Sequence, residues 1–89
     1  MKEITDKIQH HNDTLEYYLD ILVNDETFKL NRHQSDVGKL LTLKALKDCS
    51  QAITDMRADV MDFVQIQLML ANLDKLHDIC RDEMKKILG

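Results

Sequence analysis

Lys39–Leu88 reads KLLTLKALKDCSQAITDMRADVMDFVQIQLMLANLDKLHDICRDEMKKIL, fifty residues with neither glycine nor proline. Those two residues punctuate turns and strands, and helix interiors exclude them. Apolar residues within the stretch recur at helical spacing. Leu46, Cys49, Ile53, Met56, Val60 and Phe63 keep steps of three and four, and Ile66, Met69, Leu73, Leu76 and Cys80 resume them. Two consecutive steps of three, Val60 to Phe63 and Phe63 to Ile66, slip the apolar seam by one residue. A helical region over about 32–88 therefore bends or breaks near 57–64. The turn-forming residues of TDMRADVMD are only Thr and Asp, so a continuous or bent helix is favoured over a separate third one. Such a helix would be about 75 Å long at 1.5 Å per residue.

Upstream, Ile4, Ile8, His11, Leu15, Tyr18 and Leu22 form a heptad seam broadened by Leu19 and Val23. This predicts one amphipathic helix over about 2–24, closed by the turn chemistry of Asn24-Asp25. Residues 25–31 have no period and read as a loop that tucks Phe28 and Leu30 under the helices. Asn31 with Gln34 resembles a capping box, and Ser35-Asp36 offers a second helix start. The chain as a whole has two glycines, Gly38 and Gly89, and no proline. The fold class is all-α: a helical hairpin or three-helix bundle, one domain over 1–89. A first helix of about 35 Å would cover half of a 75 Å partner. The uncovered half would then need a second copy of the chain, so a homo-oligomer is expected.

Composition narrows the function classes. With 31% charged and 44% hydrophobic residues the chain folds rather than staying disordered. Its net charge of −4 is concentrated early, where the first thirty residues carry three Lys against seven Asp/Glu. That leaves no basic footprint for duplex nucleic acid. No apolar run approaches the roughly 20 residues that cross a bilayer, and MKEITDKIQHHND has no signal-peptide core. The expected location is the cytoplasm, or the host's cytoplasm if the chain is viral. Cys49 and Cys80 fall in apolar helical patterns and read as free, small hydrophobes rather than a disulfide.

Groups that could carry chemistry are sparse. His10 and His11 are adjacent, so on a helix they point about 100° apart and with Asp13 make a poor metal grip. Asp74, His77 and Cys80 follow one another at i, i+3 and i+6. His77 and Cys80 could give two ligands to zinc, but no second pair stands in the chain to complete a closed site. Ser35 and Ser50 lack the flanking glycines of a nucleophile elbow, and no glycine-rich phosphate loop is present. The sequence points to a non-enzymatic protein with no cofactor. Candidate binding residues are Tyr17, at the edge of the first seam, the Lys44/Lys47 pair on one helical face, and Met61 and Leu68, which lie off the main seam.

The segment 40–53, LLTLKALKDCSQAI, resembles the apolar rhythm of helical hairpins in phage proteins that sequester cyclic-nucleotide signals. The likeness covers fourteen residues and consists of helix periodicity. It implies an oligomer holding a small anionic ligand between protomers, with a tyrosine stacked on a base and a lysine on a phosphate. From the residues themselves, the expected function is a small helical protein that oligomerises and binds or inhibits a protein partner. A metal-binding bundle using His77 and Cys80 is a third reading.

Overall fold

Every described segment but one short turn is helical. The computed structural model describes residues 2–24 and 32–88, with the side chains of 32–35 excepted. Phe28, Leu30, Asn31 and the side chains of Gln34 and Ser35, which bear on the expected loop and capping box, lie outside the described residues. Helix α1 spans Lys2–Asn24, α2 Arg32–Asp59 and α3 Val64–Leu88. No strand occurs among the described residues.

In α1 the seam is a burial pattern. Ile8, Leu15 and Leu22, seven residues apart, are buried, and Ile4 before them and His11 and Tyr18 between them are half-buried. A seven-residue repeat keeps one stripe facing its neighbours over the six turns of the helix. In α2 and the turn after it, Thr42, Leu46, Cys49, Ile53, Met56 and Val60 follow the same rhythm. Thr42 extends the seam one turn upstream because its hydroxyl donates to the Gly38 carbonyl at 2.8 Å, which satisfies the buried oxygen. Enclosing a Leu or Ile in such a core stabilises the fold by about 1.5–3 kcal/mol relative to exposure.

The favoured continuous helix is not what the chain forms. α2 stops at Asp59, a turn follows over 60–63, and α3 folds back against α1 and α2. The result is a three-helix bundle with extents of 46 × 20 × 19 Å. The seam from Leu46 to Met84 is thus covered from within, although Leu40, Leu41 and Leu43 stay exposed, so the requirement for a second copy, derived from a 75 Å helix, falls away. Phe63, placed in the seam by its spacing, is instead exposed because it sits in the turn.

The break also resets the register of α3. Its buried residues are Ile66, Leu70, Leu73, Cys80 and Met84. Leu70 takes the enclosed place that spacing assigned to Met69, which is only partly buried. α1 packs more extensively on α3 than on α2. One polar contact crosses that seam, where the Cys80 thiol donates to the Leu15 carbonyl at 3.4 Å. No helix of the described residues is long and apolar enough to cross a membrane.

Candidate functional site

The α2–α3 corner is built without a glycine or proline. The Phe63 amide donates to the Val60 carbonyl at 3.0 Å, making the turn, and the Gln67 amide donates to the Phe63 carbonyl at 3.0 Å, starting α3. The Gln67 side-chain amide reaches back to the carbonyls of Val60 and Met61. The Val60 carbonyl thus accepts twice, from the Phe63 amide and from Gln67, while Gln67 is the partner of the Met61 carbonyl, one of those that a helix end leaves to side chains or water. Val60 is fully enclosed and anchors the turn to the core. With Val60 pointing inward, its neighbours point out. Met61 is 69% exposed, Phe63 46%, Val64 68% and Leu68 60%. Val64 and Leu68, four apart, share one face of α3. Beside them Arg57, Met61, Gln67, Leu70, Ala71 and Asp74 line a depression of about 380 Å³. Arg57 and Asp74 close across it at 3.5 Å.

A second concavity, about 210 Å³, runs between α1 and α2 and is lined by residues that include His10, His11, Tyr18, Lys44 and Asp48. Lys44 pairs with Asp48 at 3.4 Å in solvent. Burial pushes His11 below the ordinary histidine range. The neighbouring His10 adds to the effect and the Asp48 carboxylate opposes it. The rings of His10 and His11 meet edge to face at 5.6 Å. Asp13 accepts from Gln9 at 2.7 Å, so its carboxylate is occupied on its own helix. Tyr17 packs edge-on against Tyr18 at 5.3 Å and is itself exposed. Lys47 is exposed on the outer side of α2.

His77 and Cys80 do not form one ligand set, because they serve different helices. His77 Nε2 bonds to the Leu46 carbonyl of α2 at 3.0 Å, whereas Cys80 points to Leu15 of α1. The side chains whose donor atoms converge with His77 are Asp74 and Asp78, all within 4.8 Å of one another. Both cysteines are free. Burial pushes each thiol up to about 11, with the Asp74 carboxylate adding to the effect at Cys49. Such thiols are poor nucleophiles at neutral pH.

No known protein family matches this chain, and no curated protein or solved structure matches it either. Of the residues singled out by sequence, Met61 sits at the corner with Leu68 on its α3 side, Lys44 lies in the α1–α2 groove, and Tyr17 and Lys47 stand apart from both. Sequence reasoning missed Phe63, Val64 and Asp78. The last had a usable signal: Asp-x-x-His-Asp places all three side chains on one helical face.

Proposed function

We propose that this chain is a non-enzymatic helical interaction protein whose α2–α3 corner is its contact face, toward both a second copy and a protein partner. One observation carries the reading, the concentration of Met61, Phe63, Val64 and Leu68 at a single corner with each about half or more exposed. Scattered surface apolar residues need no explanation, but clustered ones mark interaction sites. Methionine and aromatic side chains are also enriched at the cores of interfaces. Burial of both thiols, which makes them weakly acidic and poor nucleophiles, supports the non-enzymatic reading. Light scattering over a concentration series, on the wild type and a Met61→Asp/Leu68→Asp variant, tests the reading together with affinity capture from the native host. The expected result is a wild-type mass above 10.4 kDa at high concentration, and a captured protein that the equally folded variant loses. A wild type that stays at the monomer mass, with captured proteins identical for both, would overturn it.

A second reading draws on the α1–α2 groove, where Lys44, His10 and His11 stand beside the Tyr18 ring. An anionic ligand with an aromatic base, such as a cyclic nucleotide, finds matching groups there. A cyclic-nucleotide panel read by melting temperature tests it, because a ligand that binds the native state raises the midpoint.

A further inference from the structure

We propose that Asp74, His77 and Asp78, on the edge of α3 that meets α2, bind a first-row divalent transition-metal ion, with zinc(II) as the best match. Positions i, i+3 and i+4 share one helical face, so α3 itself brings an imidazole and two carboxylates together. Their donor atoms lie within 4.8 Å of one another. Ligands about 2.0–2.2 Å from a common ion sit nearer together than this, so closure needs only side-chain rotation.

The decisive feature is the orientation of the histidine. A carbonyl oxygen can only accept, so the His77 Nε2 that meets the Leu46 carbonyl at 3.0 Å must carry the hydrogen. In the neutral ring the lone pair is then on Nδ1, and Nδ1 faces Asp78 Oδ1 at 3.8 Å. An imidazole nitrogen and two carboxylates, all acceptors, thus turn toward one space, and a cation between them satisfies all three. Metal-ligating histidines are oriented in this way, with the distal N–H held by a backbone carbonyl or carboxylate that fixes the tautomer. The bond also ties the site to the core, since Leu46 is buried in α2. The His77 side chain is 14% exposed while Asp78 is 51% exposed, so the ring is held in place and the carboxylate side stays open to an entering ion.

Two arginines set the limits of affinity. Arg57 contacts Asp74 at 3.5 Å and Arg81 contacts Asp78 at 3.3 Å. They offset the carboxylate charges and compete with a cation for the same oxygens. Three protein ligands also leave coordination positions to water, as in open rather than closed zinc sites. A mixed nitrogen and oxygen donor set favours zinc, cobalt or nickel over magnesium and calcium, which take oxygen ligands in larger number.

Calorimetric titration with zinc chloride, and visible spectroscopy with cobalt(II) as its probe, test the site on the whole chain. The expected result is one saturable zinc per chain, no magnesium binding, and a cobalt spectrum typical of low coordination number. Asp74→Asn with Asp78→Asn should weaken zinc at least ten-fold while leaving the metal-free melting temperature near wild type. A His10→Gln/His11→Gln variant should bind as the wild type does. Ring-nitrogen NMR of the wild type gives a measurement independent of variant folding, and zinc should move His77 Nδ1 and leave the shifts of His10 and His11 in place. No saturable binding, binding that survives the double Asn change, or a shift confined to His10 and His11 would each overturn the proposal.

Discussion

Gln67, in the first turn of α3, donates its side-chain amide to the Val60 carbonyl 3.3 Å away and seven residues back in the chain. The same amide reaches the Met61 carbonyl. A helix end normally finds its partners in a glycine-led cap or in water. Here the Phe63 amide and one glutamine from the next helix supply them, and Gln67 ties the start of α3 to the turn that follows α2. Gln67→Ala should cost about 0.5–1.5 kcal/mol, the usual net worth of a hydrogen bond, since the Val60 carbonyl keeps the Phe63 amide and the Met61 carbonyl can turn to water. Gln67→Glu, which accepts but does not donate in its ionised form, should cost at least as much. Urea denaturation measures both, and unchanged midpoints would remove Gln67 from the account of the break.

Ile53 and Leu73 are the centres of the α2 and α3 seams, with Leu73 fully enclosed. Truncating either to Ala should cost about 2–4 kcal/mol through lost burial and the cavity left behind. A domain of this size has about 5–10 kcal/mol in total, so each variant should lose much of its stability. Leu70→Ala should cost more than Met69→Ala, because the former is buried and the latter only partly so. The reverse order would restore the register read from spacing alone.

The seams of α1 and α2 were legible because their burial follows an unbroken alternation of three and four, from Ile4 to Leu22 and from Leu46 to Val60. The break was half legible. The doubled step of three pointed to residues 57–64, but the absence of glycine and proline argued for continuity. The turn closes on a local backbone bond from Phe63 to Val60 and is braced by Gln67 of the following helix, a side chain invisible to any local rule for turns. Everything downstream inherits that miss, including the exposure of Phe63 and the exchange of Leu70 for Met69. Met61 and Leu68 were legible as outward residues because they lie off the seam in either arrangement. Asp78 was half legible: its spacing puts it on the face of Asp74 and His77, but which ring nitrogen turns toward it is decided by Leu46 of another helix.

Tyr17→Ala and Lys44→Ala/Lys47→Ala should each keep stability within about 0.5 kcal/mol of wild type. Tyr17 is exposed, and the exposed Lys44–Asp48 pair is of the kind that contributes about 0.3–0.5 kcal/mol. A melting curve that collapses for either variant would place these side chains in the core.

His11 should make stability fall with acid. Its folded-state pKa is lowered by burial and by His10, so the native state favours the neutral ring. That contribution is present above the ordinary value of 6.5 and is lost as pH drops through the lowered one. Stability measured from pH 7 to pH 5 should therefore decline less steeply in His11→Gln than in the wild type. Equal slopes would show that His11 is not the group responsible.

The two thiols should act at the opposite end of the scale. Cys49 and Cys80 are raised from 9.0 to about 11, in both cases chiefly by burial. An unfolded chain would ionise them near the ordinary value, while the native core resists the thiolate. Folding is therefore favoured by the neutral thiols below about pH 9, and that advantage is lost as pH rises toward 11. The comparison is with a Cys49→Ala/Cys80→Ala variant, which isolates the thiols from everything else that alkali changes. That variant should start less stable at pH 7, because two enclosed side chains are shortened, and should lose less between pH 9 and 11. Alkylation gives a second readout. Both thiols should resist a maleimide at pH 7.5 in the native protein and react completely once it is unfolded. Rapid labelling of the native protein would mean that the core opens easily around Cys80 and Leu15, and that the α1–α3 seam is not the rigid one its burial describes.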